Sequence, residues 1–196
     1  MDKAAREKVS FDDEPLILVD EDDNEIGHKS KVECHQGHGT LHRAFSIFLF
    51  DDRGRVLLQQ RAAGKPLWPL YWSNSCCSHP RRGESMQQAL HRRLHEELGL
   101  DAELEFVYKF SYQADFGSVG AENELCHVYI GALTGGEVRV HPDEIADWRW
   151  VPMDEVSREL EQEPDNYTPW FKLEWKALMG RWHDRIESLS ERATDA

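Results

Sequence analysis

Residues 74–80, NSCCSHP, bring two neighbouring thiols and an imidazole together in a chain whose only other cysteines are Cys34 and Cys126. Such a group could bind a metal, carry a proton, or pack in the interior as small apolar side chains. Cys76 and Cys77 are adjacent, which is too short a separation for an unstrained disulfide. In an extended segment their side chains point to opposite sides, so we expect the two thiols to have different roles.

A carboxylate also falls on the apolar side of a predicted helix over residues 85–98. At about 100° per residue, Glu97 lies inside the apolar stripe and Arg93 lies at its edge. The stripe itself consists of Met86, Leu90, Leu94 and Leu98. A buried carboxylate is costly unless a cation meets it. Two interpretations stay open: an i, i+4 pair with Arg93 that stabilises the helix by roughly 0.3–0.5 kcal/mol, or a ligand of a divalent metal ion.

Composition limits the classes of protein that could carry these groups. The chain has 196 residues, 40% of them hydrophobic, and a formal net charge of −14. This acidity disfavours binding to nucleic acid and to anionic membranes. No apolar run approaches the ~20 residues of a membrane span, and no secretory signal precedes the first strand. We therefore expect one cytoplasmic domain over residues 1–196, with a core at about 14–190 and frayed termini.

The elements that must position these residues alternate between strand and helix patterns. Strands are predicted in EPLILVDEDDNEIG (two), HRAFSIFLFDDRGRVLLQQR (a hairpin), VYKFSYQAD, ELCHVYIGAL, EVRVHP and DWRWVP. Helices are predicted in ESMQQALHRRLHEELGL, MDEVSRELEQE and PWFKLEWKALMGRWHDRIESL. Strands that flank a central helix, with more helix added at the end, indicate an α+β fold with a mixed sheet or two small sheets.

The run SHPRRGESMQQALHRRLHEELGL resembles the Nudix box. The positions that fit are Glu84, Arg92, Leu94, Glu96, Glu97, Gly99 and Leu100. Ser78 stands where the box begins with Gly, and Arg93 stands where it has Glu. Hydrolases of the superfamily use these carboxylates to hold magnesium ions that activate water. An arginine in that cluster inverts the local charge and favours phosphate binding with less metal.

The same departures are typical of one branch of the superfamily. From Lys31 to Trp170 the chain resembles type I isopentenyl-diphosphate isomerase, through HQGHGTLHRAFSIFLF, RAAGKPLWPLYWSNSCCSHP, AENELC, YTPWF and the box. The resemblance implies a Nudix-like mixed-sheet fold with a central Nudix-box helix and added C-terminal helices. It also implies interconversion of isopentenyl and dimethylallyl diphosphate in isoprenoid biosynthesis, by protonation and deprotonation through a carbocation.

The resemblance implies a metal site. Matched position by position, its ligands are His35, His42, His79, Glu122 and Glu124. Imidazole and carboxylate ligands suit Mn²⁺ or Zn²⁺, with Mg²⁺ as an alternative. His38 lies between two of these ligands, and the family match passes over it. For His28, His91, His95, His141 and His183 we expect surface or capping roles.

The resemblance also assigns the chemistry. Cys77 and Glu124 would transfer protons on opposite faces of the alkene, with Glu124 hydrogen-bonded near Tyr112. Trp170 matches the position whose indole faces the carbocation, although core packing at the start of a helix would also explain a tryptophan there.

The remaining matched positions bind the diphosphate. They are Lys31, Arg61, Lys65 and Arg93. A second ion, Mg²⁺, would bridge the diphosphate and Glu97 with help from the backbone around Cys77. These groups would concentrate positive charge at one mouth of an otherwise acidic protein. The expected partner is therefore a small-molecule diphosphate, and we expect a monomer or weak homodimer.

Two alternatives remain at this level. One is a Nudix diphosphate hydrolase, against which Arg93 argues because it replaces an acid of the box. The other is a catalytically silent Nudix-like binding module, against which the full ligand set argues. Metal content after purification would separate a silent module from an enzyme, because a module without the ligand set should retain no tightly bound ion.

Overall fold

The structure is a computed structural model that describes residues 7–133 and 135–194. Its strands are β1 (Pro15–Val19), β2 (Glu25–Ser30), β3 (His42–Asp51), β4 (Arg55–Arg61), β5 (Trp72–Ser73), β6 (Cys76–Ser78), β7 (Leu104–Phe116), β8 (Gly120–Leu133) and β9 (Ile145–Pro152). Its helices are α1 (Lys31–Cys34), α2 (Met86–Leu98), α3 (Met153–Gln162), α4 (Pro169–Arg181) and α5 (His183–Thr194), and a 3₁₀ turn spans Pro164–Asn166.

Strand β3 is the centre of one mixed sheet. It pairs in parallel with β8 from His42↔Glu124 to Asp51↔Leu133, and antiparallel with β1, β4 and β6. Strand β7 forms a long antiparallel hairpin with β8, and β9 pairs with β4. The predicted α+β fold with a mixed sheet is confirmed.

The two faces of the sheet carry separate cores because successive strand residues point to opposite sides. On one face Phe45, Ile47 and Leu49 of β3 pack with α2. On the other, Phe48 and Phe50 pack with the C-terminal helices. Burial on both faces explains why β3 is an almost continuous apolar run.

Helix α2 has the ends that the sequence predicts. The Ser85 hydroxyl accepts from the backbone N–H of Gln88, whose side chain accepts in turn from Ser85 N, which is a capping box. Gly99 ends the helix with a left-handed φ of 65°. Leu90, Leu94 and Leu98 are fully buried, so the predicted stripe faces the core.

The strand predicted in EVRVHP is wrong. Val138 and Val140 do pack against the α2 core, as their alternation suggests. However, the backbone N–H groups of Arg139 and His141 donate to the carbonyls of Leu98 and Glu97, at 2.8 and 2.9 Å. The segment satisfies the open C-terminal end of α2 and pairs with no strand in the described part of the chain.

The single C-terminal helix predicted over 169–189 is two helices. Trp182 leaves the helical conformation, with φ −127° and ψ 8°, and ends α4. Its carbonyl accepts from Arg185 and Ile186 as α5 begins, and its ring stacks on Tyr108. Of the helices in the described ranges, none has the length and apolar character to span a bilayer.

Part of the N-terminus predicted to be frayed binds to the rest of the chain. The carbonyl of Val9 accepts from Arg93 Nη1 at 2.9 Å, and Ser10 Oγ accepts from Lys31 Nζ at 2.5 Å. At the other end the backbone stays helical to Thr194. Residues 1–6 and 195–196, also predicted to be frayed, lie outside the described residues.

Candidate active site

One cavity of about 680 Å³ opens beside the ends of β3, β6 and β8. Its volume lies within the range of roughly 300–1,000 Å³ that holds small ligands. Eleven of the thirteen residues predicted to form the site line it: Lys31, His35, Arg61, Lys65, Cys77, His79, Arg93, Tyr112, Glu122, Glu124 and Trp170. Two are not among the lining residues: His42, which lies behind them in the interior, and Glu97.

Five predicted ligands converge in this cavity from four parts of the chain. His35 follows α1, His42 opens β3, His79 follows β6, and Glu122 and Glu124 lie on β8. One nitrogen or oxygen of each lies within 4.8 Å of the others. The β3–β8 register places His42 directly beside Glu124, which explains how residues 82 positions apart meet.

Backbone carbonyls fix the tautomers of two of these histidines. Nδ1 of His35 lies 2.6 Å from Lys31 O, and Nδ1 of His42 lies 2.7 Å from Thr40 O. Each Nδ1 therefore carries a proton that it donates to the carbonyl, so Nε2 is the nitrogen that can bind a metal ion. His35 Nε2 faces Glu122 Oε2 at 2.8 Å, and His42 Nε2 faces Glu124 Oε1 at 3.7 Å.

Lone pairs that face carboxylate oxygens repel one another unless a cation lies between them. The buried His42 Nε2 has no hydrogen-bond partner among the described residues. Burial lowers the pKa of His42 to about 4 and that of His79 well below its usual range, so both rings are neutral, the form that binds metals. At His35 burial favours the neutral ring, but the Glu122 carboxylate outweighs burial and raises the pKa. Burial alone would raise the pKa of Glu122, but the charge of the His35 ring lowers it to about 2. A metal ion would take the place of the Nε2 proton that faces Glu122. The donor set therefore fits a divalent ion.

The two adjacent cysteines face opposite sides of the sheet. Cys76 is fully buried in the core against α2. Cys77 packs against the other core and lines the cavity. Burial raises the pKa of Cys77 to about 12, against the opposing charge of Arg61, so this side chain is a neutral thiol. Only Cys77 can therefore act on a ligand in the cavity.

Glu124 has a different partner on each of its oxygens. Oε1 lies 2.8 Å from His79 Nε2, and Oε2 accepts a hydrogen bond of 2.6 Å from the Tyr112 hydroxyl. Burial and the nearby Glu122 carboxylate raise the pKa of Glu124 above its ordinary range. One oxygen thus faces the cluster of predicted metal ligands, while the other is oriented by a phenol.

Trp170 forms an aromatic wall of the cavity. It is 3% exposed and lies edge to face with Trp68 at 5.3 Å between ring centroids. The Arg61 guanidinium lies 5.2 Å from the centre of its ring. The indole therefore already contacts one cation, and it meets the cavity from the first turn of α4.

The four cations predicted to bind the diphosphate line the same cavity, but they differ in how other groups of the protein hold them in place. Arg61 donates to the carbonyls of Trp68 and Leu67, at 3.0 and 2.8 Å, which fixes the loop after β4. Burial, followed by the charges of Lys65 and Arg93, lowers the pKa of Lys31. Like charges are therefore close together at this mouth.

Arg93 is surrounded by acceptors. Its Nε and Nη2 lie 3.0 and 2.5 Å from Glu97 Oε1, Nη1 donates to Glu96 and Val9 O, and Nη2 lies 3.2 Å from Glu144 Oε2. The i, i+4 pair considered from the sequence is thus present. Glu97 lies outside the five-ligand cluster, and its role as a Mg²⁺ ligand stays a prediction.

Sequence reasoning missed Glu144. Its carboxylate is 3% exposed and pairs with both Lys65 and Arg93. Burial alone would raise its pKa, but the charges of Lys65 and Arg93 lower the pKa of Glu144 to about 2. The segment around it has no periodic pattern, and Lys65 lies 79 residues away in the chain, so no local signal could have identified it.

Comparison with known proteins places this geometry in a family. The NUDIX domain family matches residues 40–171. The isopentenyl-diphosphate Delta-isomerase of Serratia proteamaculans is 48% identical over 174 residues, which is 87% of this chain and 96% of that protein. That of Nocardia farcinica is 49% identical over 159 residues, covering 80% and 89%. Isopentenyl-diphosphate Delta-isomerase 1 of Photorhabdus laumondii is 40% identical over 175 residues, covering 88% and 99%.

Solved structures show the same fold at much lower identity. DR0079 from Deinococcus radiodurans aligns with a TM-score of 0.63 at 19% identity, covering 76% of this chain and 90% of that one. A MutT protein from Methanosarcina mazei aligns with a TM-score of 0.57 at 14% identity, covering 76% and 94%. At these identities the likeness concerns the fold alone.

Proposed function

Because the chain belongs to the type I isopentenyl-diphosphate delta-isomerases of the Nudix superfamily, we propose that Cys77 and Glu124 carry out its proton transfers. The enzyme interconverts isopentenyl and dimethylallyl diphosphate in isoprenoid biosynthesis. The observation that supports the assignment is that the thiol and the carboxylate line one cavity, together with the four cations that we propose bind the diphosphate.

The reaction moves a double bond by one position. A proton added to the terminal carbon gives a tertiary carbocation, and loss of a proton from the carbon next to the diphosphate-bearing one gives the product. One group must donate and another must accept, on opposite faces of the alkene. Cys77 and Glu124 come from different strands, β6 and β8. The reverse reaction exchanges their roles.

The carbocation must be protected from water, which would otherwise add to it. Trp170 and Tyr112 line the cavity, with ring centroids 6.2 Å apart. Trp68 packs edge to face on Trp170 at 5.3 Å. An indole face stabilises a desolvated cation by roughly 0.5–2 kcal/mol. Trp170 therefore supplies both apolar cover and electrostatic stabilisation.

Binding of the diphosphate is assigned to Lys31, Arg61, Lys65 and Arg93 at the mouth. A divalent ion such as Mn²⁺, Zn²⁺ or Mg²⁺ at the five-ligand site would supply positive charge that holds Glu124 in position. A Mg²⁺ ion with the diphosphate is assigned to Glu97 and the backbone near Cys77. All four cysteines are free, which supports our assignment of the enzyme to the reducing cytoplasm.

Hydrolysis is disfavoured by how the box carboxylates are paired. Glu84 binds Arg92 at 2.6 Å, and Glu96 and Glu97 bind Arg93. Pairing with arginine leaves these carboxylates too few oxygens for the several magnesium ions that the hydrolases use. Arg93 binds only Oε1 of Glu97, which leaves its second oxygen for the one ion assigned above. The relatives with 40–49% identity are named isomerases.

The decisive experiment is incubation with isopentenyl diphosphate in deuterated water. We expect deuterium in the dimethylallyl diphosphate formed and no release of phosphate. Cys77→Ala and Glu124→Gln should each abolish turnover, whereas Cys76→Ala, on the opposite face of the sheet, should retain it. Phosphate release without isomerisation would reject the isomerase, and full activity of Cys77→Ala would reject the assignment of the thiols.

A further inference from the structure

A buried row of polar side chains joins the strand of Cys77 to the helix of Trp170. Ser73 Oγ lies 2.9 Å from Thr168 Oγ1 and donates to Asn74 Oδ1 at 2.9 Å. Asn74 Nδ2 donates to Cys76 O at 2.8 Å. The side chains of Ser73, Asn74 and Thr168 are all fully buried, so water cannot replace these bonds.

The Thr168 hydroxyl takes part in this row instead of capping helix α4. It occupies the N-cap position of α4, where a threonine hydroxyl ordinarily accepts from the first turn of the helix. Here the hydroxyl makes no such bond and lies against Ser73. Pro169 at the first helical position lacks an N–H, so one fewer backbone donor at the start of α4 needs a partner. The Thr168 backbone N–H also donates to Trp72 O at 3.0 Å.

Both ends of the row lie next to proposed catalytic groups. Thr168 is two residues before Trp170, which lies on the first turn of α4. The carbonyl that Asn74 binds belongs to the peptide group between Cys76 and Cys77. Because a fully bonded, buried polar network has one favoured arrangement, it sets the spacing between the two segments more sharply than apolar contacts would.

We propose that Ser73, Asn74 and Thr168 are positioning residues that fix the Trp170 indole relative to the Cys77 thiol. The inference rests on the proposed roles of Cys77 and Trp170. Loss of the network lets the helix start and the thiol strand move apart, so the carbocation is less well stabilised. The four cations proposed to bind the diphosphate lie on other segments, α1, α2 and residues 61–65, and each has a partner outside the network.

Thr168→Val tests the network because valine keeps the shape of threonine and removes its hydroxyl. We expect kcat to fall at least about tenfold, since misplacement by an ångström can cost on the order of 10²-fold. KM and the dissociation constant for pyrophosphate should stay within about twofold. Thr168→Ser keeps the hydroxyl and should restore most of kcat.

Ser157→Ala is the matched control. The Ser157 hydroxyl accepts from Trp175 Nε1 at 3.0 Å and ties the same helix, α4, to α3. Its loss should lower the stability of the protein and leave kcat unchanged. If Ser157→Ala and Thr168→Val lose kcat equally, the hydroxyl of Thr168 has only a structural role, and the proposal is overturned.

A second measurement follows Trp170 directly. In a diphosphate analogue, a tertiary ammonium nitrogen can replace the carbon that becomes cationic. Its inhibition constant should rise about tenfold or more in Thr168→Val, while pyrophosphate affinity should not change. Equal affinities for the analogue in both proteins would overturn the inference. Failure of the wild-type enzyme to isomerise its substrate would instead reject the proposed function, before any variant is compared.

Discussion

The hydroxyl of Tyr112 donates a hydrogen bond of 2.6 Å to Oε2 of Glu124, the carboxylate that β8 places beside His42. The two residues are directly paired across the β7–β8 hairpin. The phenol is buried, and burial followed by the Glu124 charge raises the pKa of Tyr112 well above its usual range. Tyr112 therefore remains a donor and determines how the Glu124 carboxylate is rotated.

Replacing Tyr112 by Phe should impair the chemical step more than binding. A hydrogen bond to a charged group contributes roughly 1.5–3 kcal/mol, so we expect kcat to fall about 10- to 100-fold with KM nearly unchanged, as measured by steady-state kinetics. Tyr108→Phe is the control, because the buried Tyr108 hydroxyl on the same strand has no hydrogen-bond partner among the described residues. A large change in KM with normal kcat would contradict this role of Tyr112.

Gly120 keeps His35 in place by lacking a side chain. A Cβ atom at Gly120 would lie 2.5 Å from the carbonyl oxygen of His35, and the neighbouring Ala121 N–H donates to that oxygen at 3.0 Å. We therefore expect Gly120→Ala to displace His35 and to lower affinity for a divalent ion by about 10- to 100-fold, as measured by metal titration.

Gly180→Ala provides the control for Gly120→Ala. Gly180 lies within α4, and a Cβ atom there would meet nothing within 4 Å. This variant should bind metal like the wild type and should be slightly more stable, by roughly 0.5–1 kcal/mol. Undiminished metal affinity in Gly120→Ala would show that the close approach of the Gly120 backbone to His35 does not position the His35 ring for metal binding.

Glu174 is a fully buried carboxyl group that the proposed mechanism does not use. It accepts from the Cys126 thiol at 3.5 Å, with the Ser46 hydroxyl as a further neighbour, and burial raises its pKa to about 8. Between pH 4.5 and 8 the folded protein holds this proton and the unfolded chain releases it. The free energy of unfolding should therefore fall as pH rises through this window.

The Glu174→Gln variant isolates that effect. At pH 8 it should be more stable than the wild type, by a few kcal/mol at roughly 1.4 kcal/mol per unit of pKa shift, and at pH 5 the difference should be small. Urea unfolding at the two pH values measures this. The same stability difference at both pH values would mean that the group does not titrate in this window.

The elements that position the site could be predicted where a local pattern decides them. The apolar run of β3 and the capped ends of α2 are of this kind. EVRVHP shows the limit: its alternating valines are buried as expected, but its backbone binds the end of α2, and no periodicity reveals which partner a backbone will find. Trp182 likewise continues the helical pattern, although its conformation ends α4.

The site depended on resemblance more than on spacing. His35, His38 and His42 are equally plausible ligands by type, yet His38 has a side chain 86% exposed and pairs with Asp115, while the other two converge. The buried partners of the site were not predictable because they are distant in the chain. Thr168 and Ser73, for example, lie 95 residues apart.

Glu144 offers a test of the charge balance at the mouth of the cavity. Its buried carboxylate pairs with both Lys65 and Arg93, so Glu144→Gln should leave these cations close together without their shared anion. Without a ligand, we expect the free energy of unfolding of Glu144→Gln to be lower than that of the wild type by roughly 1–3 kcal/mol. This is below the cost of breaking a fully buried pair, because Lys65 is partly exposed.

Pyrophosphate should reverse much of the loss in Glu144→Gln, because it brings negative charge to the same cations. The increase in melting temperature on adding pyrophosphate should therefore be larger in the variant than in the wild type. Asp143→Asn is the control: it removes an exposed carboxylate from the same cavity rim and should change neither quantity by much. Equal or smaller stabilisation of Glu144→Gln by pyrophosphate would mean that the anion does not bind where Lys65 and Arg93 meet.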